Sequence, residues 1–178
     1  YLIDQQLLLK TSDVILSTKG KWSSTATCLD QPSDCATLRA HSSLAAEALM
    51  RSDSSARGVT IDHWNFDGNR AARLGLAPSI CPASLGRTLI AMNASQWLVQ
   101  YSGFYRTLCG TAFGAIGDAV GFVVRKNIFQ DNGDHAKYWS DGLTTGGVIQ
   151  SEISGNLFQN NTDVGLILGS APGTKVTG

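Results

Sequence analysis

No apolar run in this chain approaches the roughly 18 to 20 residues that a helix needs to cross a bilayer. An excess of charge is missing too: 14 basic residues face 14 acidic ones, so bulk charge gives no case for nucleic acid or an anionic membrane surface as a partner. Any polyanion site has to be local. No stretch of Pro, Gly or Ser is long enough to divide the 178 residues, so one domain over 1–178 is expected. The four cysteines match no zinc spacing, and on paper they allow three pairings. The sequence does not choose among these; a bridge between Cys28 and Cys35 would staple one Ser/Thr/Asp/Pro-rich stretch locally, with Cys81 and Cys109 as the expected second pair, and four buried thiols of a cytosolic protein are the alternative. Two glycosylation sequons, Asn93-Ala-Ser95 and Asn160-Asn-Thr162, are compatible with a secreted protein.

What the chain does have is a phrase written twice in its last third. Val124-Arg-Lys-Asn127-Ile-Phe129-Gln-Asp131-Asn132 lines up with Ile153-Ser-Gly-Asn156-Leu-Phe158-Gln-Asn160-Asn161 at an offset of 153 − 124 = 29 residues. Val176-Thr-Gly178 begins a third copy. Alternation at period two followed by an Asn/Asp/Gly cluster is a strand and its turn. A repeat this short has no room for a crossover helix, so equivalent strands must stack side by side. The expected fold is therefore all-β, a right-handed parallel β-helix with Asn127 under Asn156 as a ladder and Phe129 under Phe158. A β-sandwich is the alternative. Tyr1 opens in strand-like sequence and the chain stops inside a repeat. A mature or partial chain is therefore expected, or one whose coil ends are capped by partners, a homo-oligomer included.

In chain order, 1–17 is expected to hold two strands, Leu2–Leu9 and Val14–Leu16, and 19–41 to be loop. Ser43–Met50 has helical composition with a serine suited to an N-cap, but the following Gly58-Val-Thr-Ile61 favours a strand at Glu47–Arg51. Ile61-Asp-His-Trp64-Asn-Phe66-Asp-Gly-Asn69 fits as an earlier copy with Trp64 in the Asn position. Residues 71–85 form an excursion with two prolines, Leu98–Phe104 is a further coil strand, and the small apolar Gly110–Gly121 suits a coil interior.

Asp67-Gly-Asn-Arg70, Trp139-Ser-Asp-Gly-Leu-Thr144 and Asn161-Thr-Asp-Val-Gly-Leu-Ile-Leu-Gly169 resemble the pectate-lyase-like right-handed parallel β-helix proteins over most of the chain. The resemblance implies a secreted protein of a superfamily that includes polysaccharide lyases, glycoside hydrolases, uronate epimerases and phage tailspikes. It does not select among them. The second Asp-Asp pair and Gly-His-Gly of the hydrolases are missing, as are the Arg-x-x-x-x-Arg of the calcium-dependent lyases and the Asp-Pro-His of alginate epimerases.

Chemistry is expected where one corner is overlong. With Gly142-Leu143 aligned to Gly165-Leu166, the stretch from Asn132 to Ser140 holds six more residues than that from Asn161 to Asp163 (140 − 132 = 8 against 163 − 161 = 2). The extra loop, 133–139, is followed by Asp141 and is the densest ionisable and aromatic run in the chain. For β-elimination or epimerisation of a uronate, Lys137, with Arg125 or Arg106, would neutralise the substrate carboxylate, and His135 or Tyr138 would act as base or acid. Asp134, Asp141 and Asp163 would offer hard oxygen ligands to Ca²⁺. For glycoside hydrolysis two of these aspartates would flank the bond at about 5 to 9.5 Å. Trp139 and Tyr138 would present a flat face to a sugar in either case. The plain alternative is a solvated loop whose aspartates cap turns. A second cluster, Asp62, His63, Asp67 and Arg70, is expected to be structural, with Asp67-Gly68 in a tight turn. Two functions stay open: a secreted carbohydrate-active protein working on an acidic polysaccharide, and a non-catalytic structural or adhesive β-helix that binds glycans.

Overall fold

A computed structural model describes residues 1–18, 28, 34–81, 88–117 and 119–178. The chain is a right-handed parallel β-helix, with three parallel sheets of six strands each among the described residues. The first sheet stacks Leu2–Ile3, Ala36–Ala40, Trp64–Asp67, Gly103–Tyr105, Ile128–Gln130 and Leu157–Gln159. The second stacks Leu7–Leu9, Ala48–Ser52, Thr88–Met92, Gly110–Ile116, Ser140–Gly146 and Leu166–Leu168. The third stacks Ile15–Ser17, Thr60–Asp62, Leu98–Gln100, Val123–Arg125, Glu152–Ser154 and Lys175–Thr177. Each coil runs first sheet, second sheet, third sheet, and then climbs to the next coil.

The register is the one that the repeat dictates. Val124 pairs with Ile153, and Phe129 with Phe158. Leu16, Ile61, Val99, Val124, Ile153 and Val176 share one rank of the third sheet. Its four central members are buried, as alternation at period two requires of the inward positions. Phe66, Phe104, Phe129 and Phe158 stack down the interior with ring centroids 5.2, 4.8 and 5.0 Å apart. That spacing is an offset stack, favourable beyond the area it buries.

Two corners are held by side-chain ladders. Between the third and first sheets, Asn127 Nδ2 donates to Asn156 Oδ1 at 3.0 Å, Ser102 N donates to Asn127 Oδ1 and Trp64 N to Ser102 Oγ. Between the first and second sheets, Asn132 Nδ2 donates to Asn161 Oδ1 at 2.8 Å, and Thr107 N donates to Asn132 Oδ1. Each buried amide thus satisfies a backbone group of a turn that has no ladder of its own.

Three expectations need correction. The single coil strand expected over Leu98–Phe104 is two strands, Leu98–Gln100 in the third sheet and Gly103–Tyr105 in the first, with a corner between them. The first coil holds three strands rather than two, because residues 4–6 turn the corner between sheets inside what looked like one continuous strand. The loop expected over 19–41 contains a strand, Ala36–Ala40, whose Leu38 pairs with Phe66. The segment alternates, with Leu38 inward between Thr37 and Arg39, but only one large apolar residue marks it. The remainder of that loop up to residue 33 lies outside the described residues, apart from Cys28. The strand preferred at Glu47–Arg51 forms as Ala48–Ser52, packing having overridden helical composition.

The excursion after Asp67 folds into two single-turn helices, Arg70–Arg73 and Ala77–Ile80, joined by a 3-10 turn at Leu74–Leu76. Its last residues, 82–85, lie outside the described residues. Ala77 and Ile80 build a satellite core with Leu108 and Cys109, closed by the Cys81–Cys109 disulfide. Arg73 is buried without a carboxylate, and its guanidinium donates instead to the carbonyls of Leu44 and Gly68. Burial lowers its pKa. Arg70 Nη1 donates to the carbonyls of Asp131 and Gly133, which ties the excursion to the overlong corner.

Candidate functional site

The overlong corner starts where the ladder Asn132 ends the first-sheet strand, and re-enters the second sheet at Ser140. The expected alignment holds there: Leu143 pairs with Leu166, Asp163 N donates to Ser140 O, and Val164 N donates to Asp141 Oδ1 at 3.3 Å. Residues 134–138 close on themselves. Asp134 N donates to Tyr138 O and Tyr138 N to Asp134 O, while the Asp134 carboxylate accepts Ala136 N–H at 2.9 Å. That is the turn-capping role of an aspartate.

The candidate residues divide into three groups. Asp141 and Asp163 lie on adjacent coils, where Asp163 N donates to Ser140 O and Val164 N to Asp141 Oδ1. Burial pushes the Asp141 carboxyl above its usual range and Asp163 adds to this, against hydrogen bonds from Thr144 Oγ1 and Val164 N–H. Trp139, two residues before Asp141, is 63% exposed, an uncommon surface setting for so large an apolar ring. In the second group Tyr138 packs against the satellite core, Lys137 sits with its ammonium 5.3 Å from the Tyr138 ring centroid, and His135 is exposed on the loop. The third group lies elsewhere. Arg125 is on the third sheet, where its guanidinium donates twice to Gln100 Oε1, and Arg106 turns to Asp67.

Ca²⁺ takes six to eight oxygen ligands and favours carboxylates. Asp134, Asp141 and Asp163 do not gather into such a set: Asp134 is committed to its turn, and no group of three or more His, Cys, Asp or Glu side chains comes together among the described residues.

Asp62, His63 and Arg70 serve the structure, as expected. His63 Nδ1–H donates to Asp62 Oδ1 at 2.8 Å, and its buried ring stacks on Tyr101. Asp67 departs from the simple turn expected of it. Its carboxylate, 2% exposed, accepts Arg39 Nε at 2.6 Å, Arg106 Nε at 3.0 Å, Arg106 Nη2 at 2.9 Å and Asn69 N–H at 2.9 Å. Burial opposes ionisation, but these donors and the two positive charges outweigh it and hold the carboxyl below its usual range. Asp67 lies in a cleft of about 350 Å³ on the outer face of the first sheet, together with Arg39, Tyr105, Arg106, Gln130 and Asp131. Sequence reasoning missed this site. The available signal was the repeat itself, since Asp67, Tyr105 and Gln130 all stand one place after the stacked phenylalanines.

No protein family, curated protein or solved structure matches this chain. Fold and site geometry are what carry a functional reading. At the corner they offer one carboxyl shifted above its usual range, a second carboxylate on the next coil and an exposed indole two residues before the first.

Proposed function

We propose that this chain is a carbohydrate-active β-helix of the pectate-lyase-like kind that acts on an acidic polysaccharide, with Asp141 and Asp163 as the carboxylate pair of glycosidic-bond hydrolysis. The pairing of these two carboxylates beside Trp139 carries the reading. Asp141, whose carboxyl burial shifts above its usual range, is assigned the role of protonating the leaving oxygen. Asp163, exposed, supplies the base or nucleophile on the other side of the bond. Trp139 gives a sugar ring a flat apolar face. The disulfides Cys28–Cys35 and Cys81–Cys109 fit an oxidising compartment, which supports secretion.

The test is release of reducing ends from a panel of acidic polysaccharides. Asp141→Asn and Asp163→Asn should each lower turnover about 100-fold or more while the fold is retained. If unsaturated ends appear instead, and Lys137→Ala rather than Asp163→Asn removes them, the reaction is elimination. A non-catalytic, adhesive β-helix is the second reading, favoured by the way residues 134–138 satisfy their own hydrogen bonds. Wild-type protein that binds these polysaccharides and cleaves none of them would establish it.

A further inference from the structure

The cleft on the first sheet is built from four adjacent strands in register: Arg39 pairs with Asp67, Asp67 with Tyr105, and Tyr105 with Gln130. Three features separate it from an ordinary surface ion-pair network, which contributes little by itself. First, one buried carboxylate holds two guanidiniums that remain 51% and 45% exposed. Asp67 occupies Arg39 Nε and Arg106 Nε and Nη2, so most of the guanidinium donors have no partner among the described residues. Second, the Tyr105 ring folds back over Gly103, where a Cβ would collide with its Cε2, Cζ and hydroxyl oxygen. The glycine makes room for an aromatic floor, and Arg106 sits 5.8 Å from the ring centroid. Third, Gln130 Nε2 donates to Asp131 Oδ2, which fixes its amide and leaves its carbonyl oxygen as an acceptor at the rim.

The charges narrow the ligand class. Arg39, Arg106 and Asp67 together carry one net positive charge, and the Asp131 carboxylate beside them offsets it. With no net charge at the site, an anion is held by the guanidinium donors that Asp67 leaves open rather than by bulk charge, and a planar carboxylate matches that donor type for bidentate recognition. The volume is at the small end for ligand pockets, enough for one sugar unit.

We propose that this cleft is a binding site for one hexuronate unit, with the carboxylate on Arg39 and Arg106, the ring on Tyr105 and a hydroxyl donating to Gln130. The site is independent of the Asp141 and Asp163 pair and stands whether or not that pair cleaves a bond.

Titration calorimetry of the wild-type chain with trigalacturonate, its methyl ester and acetate tests this without any variant. Trigalacturonate is expected to bind saturably, the ester about ten-fold or more weakly, and acetate without measurable saturation. Asp131→Asn keeps a residue that tolerates the positive φ of 57° at that corner and should tighten the acid, not the ester, several-fold. Arg39→Gln and Gly103→Ala should each weaken it. Equal binding of acid and ester, no saturable binding of either, displacement by equimolar inorganic phosphate, or an Asp131→Asn variant that binds the acid more weakly would each overturn the assignment.

Discussion

At the scale of single residues, what a side chain can do here depends on how completely its coil neighbours have taken it out of water. Tyr105 has its hydroxyl pushed up to about 12 by burial, with the nearby Arg106 charge only partly offsetting this. An unperturbed tyrosine ionises near about 10. A spectrophotometric titration should therefore show a late tyrosinate step near 12 that Tyr105→Phe removes. A single step near 10 in both proteins would mean that the ring does not lie down over Gly103. Asp67 and Asp141 show the same physics with opposite outcomes. Two guanidiniums and a backbone N–H outweigh burial at Asp67, while Asp141 has a hydroxyl, one long N–H bond and a negative neighbour.

At the scale of elements, strands of three residues would not be stable alone, so each depends on the rung above and the rung below. Phe129 is fully buried between Phe104 and Phe158. Phe129→Ala should cost about 3 to 5 kcal/mol in urea unfolding, whereas Phe158, with a ring neighbour on one side, should lose less when truncated. Asn127→Ala leaves the Val99 carbonyl and the Ser102 N–H without their side-chain partner, at a cost of about 1 to 3 kcal/mol. The Cys81–Cys109 bridge spans 28 residues and closes the satellite core on which Tyr138 rests. Replacing both cysteines by serine should remove about 3 kcal/mol and loosen the 134–138 turn, which amide exchange would report. Corners obey the same stacking logic. His63, Tyr101, Lys126 and Gly155 all adopt φ between 50° and 60° at successive coils, although Tyr101 and Lys126 are poor candidates for left-handed backbone. The coil imposes that bend at the cost of local preference.

For the whole molecule, Asp67 and Asp141 set opposing pH dependences. The Asp67 carboxyl is lowered on folding, so its stabilisation is present above the unfolded value near 3.8 and is lost as pH falls through the lower folded value. For Asp141 the folded value is raised, so the folded state holds that proton more tightly, and stability is lost as pH rises from 3.8 through the folded value. Thermal melts across pH should therefore show Asp67→Asn destabilised at neutral pH, with the deficit shrinking in acid. Asp141→Asn should gain on the wild type as pH rises through the same region. Coincident curves for all three proteins would mean that neither carboxyl feels the surroundings described for it. The sequence alone determined the architecture, because the repeat of Asn127 and Phe129 at Asn156 and Phe158 has only one economical packing, in which identical positions stack. It also located the overlong corner, since an insertion is a matter of counting, and it set Ser140 beside Asp163 and Asp141 beside Val164 on adjacent coils. Only the tertiary structure decided which charges meet. Arg39, Asp67 and Arg106 lie on three different coils, and nothing in their spacing says that one carboxylate will hold both cations. Arg125, equally basic and equally near the repeat, went to another sheet. Stacking fixes which rank a residue occupies, but the partner that a long charged side chain finds within reach depends on every coil around it.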